Sequence, residues 1–153
     1  PHTHAYSLIR RLLDGRASGA GMIDALLEPH RSYLPVIEGF SEAGVLPKAL
    51  AHITGGGFFD NLPRVLPDQL GARIELGSWP VPDPFVTLVD WGGLDDAEAF
   101  RVWNMGIGLV AVVDEAGAAT LVERGHRVIG SVIDARHCGS HGNGRVVLDG
   151  TWR

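Results

Sequence analysis

The pattern of apolar and polar positions predicts a chain that mixes amphipathic helices with short strands. Helical spacing, with glycine or proline as the stop signal, occurs in AYSLIRRLLDG, MIDALLEP, SYLPVIEGFSEAG, FFDNLPRVL, PDPFVTLVDWGG, DDAEAFRVW and EAGAATLVERG. Shorter runs typical of strands are LAHIT, ARIELGSW, IGLVAVV, HRVIGSVI and GRVVLDG. Helices and strands do not alternate strictly, so the pattern predicts an α+β fold with helices on the faces of a mixed sheet.

The run IGLVAVV is almost uninterrupted in its apolar character. Such runs are typical of strands that are covered on both faces. We therefore expect it to be the central strand of the sheet. On that basis Val110→Asp or Val112→Asp should unfold the domain, because each would bury an unpaired charge.

Composition indicates an ordinary globular domain and excludes several classes of function. Of the 153 residues, 45% are hydrophobic and 20% are charged, and no apolar run approaches the roughly 18 residues of a membrane span. The net charge of −5 argues against a nucleic-acid-binding surface, which would be basic. Cys138 is the only cysteine, so an internal disulfide is excluded and a reducing, cytoplasmic setting is favoured.

Three consecutive glycines separate the strand LAHIT from the helix that follows it, and these are Gly55, Gly56 and Gly57. Glycines in this position let backbone N–H groups converge on an anion, and the start of a helix adds a positive dipole end. The spacing matches neither a P-loop nor a dinucleotide-binding fingerprint. The segment therefore predicts an oxyanion site, and the alternative is a tight turn that binds no ligand.

Four polar residues flank the glycines: His52, Thr54, Asn61 and Arg64. We expect His52 to donate to a phosphate oxygen or to a developing negative charge, which makes it a candidate catalytic residue. Thr54 and Asn61 are candidate phosphate-binding residues. Arg64 has two equal interpretations, as a further anion ligand or as the partner of a carboxylate.

Three other segments carry weaker signals. Asn104 and Gly106 precede a strand and are candidate ligand contacts, although a β-bulge or close strand packing explains that segment better. His2 and Thr3 precede the first helix, where a helix cap and an acid–base imidazole are equally good interpretations. The loop with His137, Cys138 and His141 offers three ligands where structural zinc needs four, so no metal site is predicted.

Taken in order, five segments resemble the aminoimidazole ribonucleotide synthetase (phosphoribosylformylglycinamidine cyclo-ligase) family. They are HTHAYSLIRRLL, LLEPHRSYLPVI, KALAHITGGGFFDNLPRVLP, LGSWPVPDPF and FRVWNMGIGLVAVV. The resemblance covers about residues 2–133 and only the C-terminal half of such an enzyme. Because the sequence also opens at Pro1, inside a motif-like stretch, we expect 1–153 to be a single domain of a longer two-domain protein.

The resemblance implies both a fold and a reaction. The fold is a three-layer α/β/α domain that closes an active-site cleft. In the reaction, ATP activates the formyl oxygen of formylglycinamidine ribonucleotide as an iminophosphate, and the amidine nitrogen closes the imidazole ring with loss of phosphate. Such enzymes are homodimers of purine biosynthesis whose N-terminal half binds most of the ATP and Mg²⁺. The domain alone is therefore expected to be inactive.

His4, Ala5 and His30 depart from the family pattern, which has asparagine, glycine and threonine there. Alanine in place of glycine disfavours positive φ, so we expect a different local turn at Ala5. Two alternative functions remain open. One is another phosphoryl-transfer enzyme of the same superfamily, related to thiamine-monophosphate kinase or selenophosphate synthetase. The other is a non-catalytic metal- or ligand-binding module at the loop that contains Cys138.

Overall fold

The computed structural model describes residues 6–16, 20–139 and 144–153. Its α-helices are α1 (Tyr6–Leu13), α2 (Ala20–Leu27), α3 (Leu34–Glu42), α4 (Gly57–Asn61), α5 (Asp83–Gly92), α6 (Asp96–Val102) and α7 (Glu115–Glu123). Its strands are β1 (Ala49–His52), β2 (Leu70–Leu76), β3 (Leu109–Val112), β4 (Gly130–Asp134) and β5 (Val146–Gly150). Each predicted helix and strand is present, so the α+β class is confirmed.

The strands form two sheets rather than one. In the smaller sheet β1 pairs antiparallel with β3, and His52 lies opposite Leu109. In the larger sheet β2 lies in the centre, antiparallel to β4 and parallel to β5. The larger sheet is therefore mixed, as predicted, but it does not contain the LAHIT and IGLVAVV strands.

The prediction that IGLVAVV forms a central strand with both faces covered is wrong. All four residues of β3 are only half-buried, and the strand has one neighbour, β1. The central position belongs to β2, whose sequence alternates between apolar and polar residues. Since Val110 and Val112 retain access to water, a carboxylate at either position would remain partly solvated. The expectation that Val110→Asp or Val112→Asp unfolds the domain has therefore lost its basis.

The main core lies between the inner face of β2 and the helices that follow the triple glycine. Ile74 of β2 is 3% exposed, whereas its neighbours Arg73 and Glu75 lie on the outer face. The Phe100 ring of α6 stacks on Phe58 of α4 at a centroid distance of 6.0 Å. Burial of one such ring contributes about 1.5–3 kcal/mol to stability. The aromatic contact thus fixes α4 against α6.

Helix α4 is shorter than the FFDNLPRVL segment predicted. It has five residues and ends at Asn61, before Pro63. Proline lacks a backbone N–H, and its ring disfavours a helical conformation of the residue before it, which explains the early end. Arg64 consequently lies beyond the helix and is exposed, not two turns into it.

Arg145 holds the segment between α4 and β2 in place. Its guanidinium donates to the carbonyl oxygens of Pro63 at 2.7 Å, Leu66 at 3.3 Å, Pro67 at 2.5 Å and Leu70 at 2.7 Å. Guanidinium offers five N–H donors in a fixed fork, so one side chain can serve several carbonyls. Within the described ranges, no helix is long and apolar enough to cross a membrane.

Candidate functional site

The triple glycine forms a tight turn between β1 and α4. Gly56 and Gly57 have φ angles of 87° and 58°, in the left-handed region that costs other residues about 1–2 kcal/mol. A Cβ atom on Gly57 would overlap the backbone carbonyl oxygen of Phe100, and one on Gly56 would overlap the Asp60 side chain. Backbone geometry therefore requires glycine at these two positions before any ligand is considered.

The side chain of Asn61 is directed into this turn. Its amide nitrogen lies 2.7 Å from the carbonyl oxygen of Gly57, 3.2 Å from that of Gly55 and 3.5 Å from that of Thr54. The Thr54 hydroxyl in turn donates to the Asn61 side-chain oxygen at 3.3 Å. Because Asn61 is only 6% exposed, its amide serves the carbonyls of the turn rather than projecting toward a ligand.

This arrangement orients the other side of the turn. In a trans peptide the carbonyl and the following N–H point in opposite directions, and the described residues contain no cis peptide bond. The carbonyls of Thr54 and Gly55 approach the Asn61 amide, so the N–H groups of Gly55 and Gly56 point away from it. No backbone carbonyl in the described part of the chain accepts from either N–H. Consecutive N–H groups aimed to one side are an anion-binding arrangement.

His52 ends β1 and precedes this turn by two residues. Its side chain is exposed, and its imidazole meets the ring of Tyr33 edge-on, with the centroids 5.8 Å apart and the planes at 63°. The Arg31 guanidinium lies 6.0 Å from the centroid of the same tyrosine ring. Burial raises the pKa of Tyr33, and the positive charge of Arg31 partly offsets that rise.

Tyr33 is a neighbour of the site that sequence reasoning did not identify. The available signal was its place two residues after Arg31, in one of the segments that carry the family resemblance. Arg101 was also missed. Its guanidinium lies 4.7 Å from the Phe59 ring centroid and 3.6 Å from an Asp60 carboxylate oxygen, which places a cation on α6 beside α4.

The second glycine-rich segment follows α6 and runs alongside the end of β1. The N–H of Ile53 donates to the carbonyl of Gly108 at 2.8 Å. Met105 is buried with a φ of 47°, and the indole N–H of Trp79 donates to its carbonyl at 2.9 Å. A Cβ atom on Gly106 would lie 2.6 Å from Cδ of Pro82. The glycine at 106 is therefore explained by close packing.

Among the described residues, neither Asn104 nor Arg64 is hydrogen-bonded to the turn. Asn104 is half-buried, and its side-chain oxygen accepts from the N–H of Gly106 at 3.4 Å. Arg64 is exposed beyond α4. His2 and Thr3 lie outside the described residues, as do the substituted motif positions His4 and Ala5.

The loop after β4 forms a 3₁₀ turn, Ala135–Cys138, that contains His137. His141, the third residue of the loop considered for metal, lies outside the described part of the chain. Across residues 6–16, 20–139 and 144–153, no group of three His, Cys, Asp or Glu side chains is placed to hold a metal ion.

Comparison with known proteins identifies relatives along most of the chain. The family model described as "AIR synthase related protein, C-terminal domain" matches residues 1–143. Proteins named phosphoribosylformylglycinamidine cyclo-ligase are 41% identical over 131 residues in Aromatoleum aromaticum and 42% identical over 132 residues in Geobacillus kaustophilus, each covering 80% of this chain. That of Bacillus cereus is 39% identical over 149 residues, covering 86% of this chain. The matched regions span 37%, 38% and 42% of these relatives' lengths, respectively.

Proposed function

Because the chain belongs to the AIR synthase related protein family, whose C-terminal domain it carries, we propose that it acts in the ATP-dependent cyclisation of formylglycinamidine ribonucleotide. The product is aminoimidazole ribonucleotide, an intermediate of purine biosynthesis. In this proposal the complete enzyme is a cytoplasmic homodimer of two-domain subunits. Residues 1–153 form the single domain that closes the active-site cleft against its own N-terminal domain.

The observation that carries the proposed site is the orientation of the triple-glycine turn by Asn61. The Asn61 amide approaches the turn carbonyls, which leaves the N–H groups of Gly55 and Gly56 to face an oxyanion. The ligand we propose is a phosphate of the substrate or the phosphoryl group in transfer. With only five residues, α4 adds little dipole, so the two N–H groups supply the binding. Thr54 acts through its hydrogen bond to Asn61.

His52 is the proposed catalytic residue of this domain. The reaction first transfers a phosphoryl group from ATP to the formyl oxygen and releases ADP. The amidine nitrogen then bonds to the formyl carbon, and phosphate leaves from that carbon. An exposed imidazole beside the turn can donate to the phosphoryl oxygen or to the formyl oxygen as its charge develops. His2 remains a second proposed catalytic residue. Thr3, Arg64, Asn104 and Gly106 remain proposed contacts to the same substrate.

In this proposal Mg²⁺ and most of the ATP are bound by the N-terminal domain. Within the described residues, no three His, Cys, Asp or Glu side chains are grouped to hold a metal ion. The names of the curated relatives favour the cyclo-ligase over the related kinase and selenophosphate synthetase functions.

A domain exchange tests the proposal. In the cyclo-ligase of Geobacillus kaustophilus, the 132 residues that match this chain would be replaced by their counterparts here, and ADP release would be measured with formylglycinamidine ribonucleotide. We expect the chimera to be active and residues 1–153 alone to be inactive. A folded but inactive chimera would contradict the cyclo-ligase function, and full activity of residues 1–153 alone would contradict the proposed division between domains.

Two histidine variants of the chimera test the site separately. His52→Ala should lower kcat by about 10²-fold or more, the usual contribution of a general acid or base. His126→Ala is the matched control, because His126 is also exposed and packs against an aromatic ring, that of Phe40. If both variants kept the activity of the chimera, His52 would not be catalytic, although the function itself would stand.

A further inference from the structure

We propose that Tyr33 is a positioning residue for His52, which holds the imidazole in one orientation at the end of β1. The catalytic consequence rests on the proposed function, whereas the contact itself does not. The carrying observation is the edge-on contact between the two rings, 5.8 Å between centroids at 63°. Edge-to-face packing is a preferred aromatic geometry, so the contact selects an orientation of both rings.

Tyr33 is itself held firmly enough to act in this way. It is the residue before α3, where its carbonyl accepts the N–H of Ile37 at 3.0 Å, so its backbone is fixed by the helix. Its hydroxyl occupies the space above Gly108, where a Cβ atom would overlap it. Gly108 is part of the backbone ladder, because its carbonyl accepts from Ile53 at 2.8 Å. The tyrosine therefore connects the start of α3 to the strand pair that carries His52.

The absence of a side chain at position 108 is what allows this contact. Gly108 is buried, and its φ lies outside the positive, left-handed range that favours glycine. Conformational freedom is thus not the reason for glycine here. The reason is space, since any larger residue would displace the Tyr33 ring, which contacts His52.

The Tyr33 ring excludes some of the staggered rotamers that an imidazole at a strand end can populate. Proton transfer and hydrogen bonding to a reacting oxygen require one of them, and a displacement of about 1 Å can cost about 10²-fold in rate. Removing the ring in Tyr33→Leu should therefore lower kcat of the chimera by about tenfold, with KM changed less than about threefold. Tyr33→Phe keeps the ring edge, so it should restore kcat to within about threefold of the parent chimera.

Proton NMR of the 153-residue chain tests the contact without any activity. We expect nuclear Overhauser effects between the ring protons of Tyr33 and His52, and we expect Tyr33→Leu to shift the His52 ring signals. The internal control is His126, whose ring lies 5.4 Å from that of Phe40 in the same helix α3. Its signals should stay in place in Tyr33→Leu, which would show that α3 is intact.

Gly108→Ala provides a second route to the same displacement, with Tyr33 left unchanged. It should shift the His52 ring signals as Tyr33→Leu does. If Tyr33→Leu also shifts the His126 signals, and so disturbs α3, Gly108→Ala becomes the deciding test of the contact. Absence of the Tyr33–His52 Overhauser effect in the wild-type chain would overturn the proposal, as would unshifted His52 signals in Gly108→Ala. An inactive chimera together with all the expected NMR shifts would instead reject the proposed function and leave the contact established.

Discussion

Asn61 and Arg145 play the same structural role in two parts of the molecule. Each donates side-chain N–H groups to backbone carbonyls of an irregular segment. Asn61 serves carbonyls four to seven residues before it, and it is a neutral amide that is 6% exposed. Arg145 serves carbonyls 75 to 82 residues before it, and it is a cation whose side chain is 23% exposed. One connects a turn to its own helix, and the other connects a loop to a distant strand.

The difference shows that water access, more than the number of hydrogen bonds, should set the cost of losing each side chain. A buried carbonyl that loses its donor bears the full penalty of desolvation, about 1–3 kcal/mol. A carbonyl near the surface can accept from water instead. We therefore expect the turn at Asn61 to be more sensitive to substitution than the loop at Arg145, although Arg145 makes more contacts.

The largest effect should come from substitution of Gly57, the residue of the triple-glycine turn that packs against α6. Gly57→Ala should destabilise the chain by about 3 kcal/mol or more, because a left-handed Cβ costs about 1–2 kcal/mol and this one must also displace the Phe100 carbonyl. Gly93→Ala is the matched control, with a φ of 59° against 58° but open space around its Cβ. Urea unfolding would measure both, and equal losses would show that the turn does not need its contact with α6.

Next in size is Asn61→Leu, which removes the amide that donates to the buried carbonyl of Gly57 at 2.7 Å. We expect a loss of about 1–3 kcal/mol in the free energy of unfolding. Asn104→Leu is the control, since Asn104 is half-buried and accepts a single bond of 3.4 Å; its loss should stay below about 0.5 kcal/mol. Similar losses in the two variants would mean that the Asn61 contacts add nothing beyond those of an ordinary loop asparagine.

Arg145→Leu should have a smaller effect, about 1–2 kcal/mol, because water reaches the carbonyls that the guanidinium leaves. Arg145→Lys should recover only part of it, since an ammonium group cannot span the carbonyls of Pro63 and Leu70 in the way that a fork does. The same unfolding experiment orders the series. If Arg145→Leu proved more costly than Asn61→Leu, charge and contact number would outweigh burial.

The smallest effect should come from a surface pair, Asp134 and Arg136, whose side chains are 36% and 86% exposed. Hydrogen bonds of 2.7 and 2.9 Å join the two side chains. Hydrogen bonds from Arg136 hold the pKa of Asp134 well below its usual range. The pair therefore contributes its stability above the ordinary aspartate pKa of about 4, and that contribution is lost as the pH falls through the lowered pKa. Melting curves of Asp134→Asn and wild type should differ most above about pH 5 and converge in acid; a constant gap would exclude this pair as the source.

The sequence was sufficient for the helices and strands because their periodicity is local. Pro63 could have placed the end of α4 correctly, but the apolar residues beyond it extended the predicted helix. The pairing of strands was less accessible, since it depends on partners far along the chain. Continuous apolar character around Val110 predicts a central strand only where it implies coverage on both faces. Half-buried positions that pack against a core select the same residues.

The candidate site shows the same division. The turn at Gly56 and the exposed histidine before it follow from spacing and residue type. The direction of the Asn61 side chain does not, because an amide can serve a ligand or its own backbone equally well. Tyr33 was missed for a different reason, because its contact with His52 depends on how α3 meets the β1–β3 pair. Its place in a family segment marks the residue but does not reveal that packing.

The parallel pairing of β2 with β5 has a consequence for the time course of folding. Ala72 pairs with Val146 and Leu76 with Gly150, so one edge of the central strand stays open until residues 146–150 have left the ribosome. The long loop between β2 and β5 adds only modestly to the entropic cost of folding, but pairing between segments far apart in sequence slows folding. During synthesis the chain therefore exposes a strand edge able to pair with other chains. A substitution in β5 that leaves the native stability unchanged should still lower the yield of soluble protein if it delays this closure.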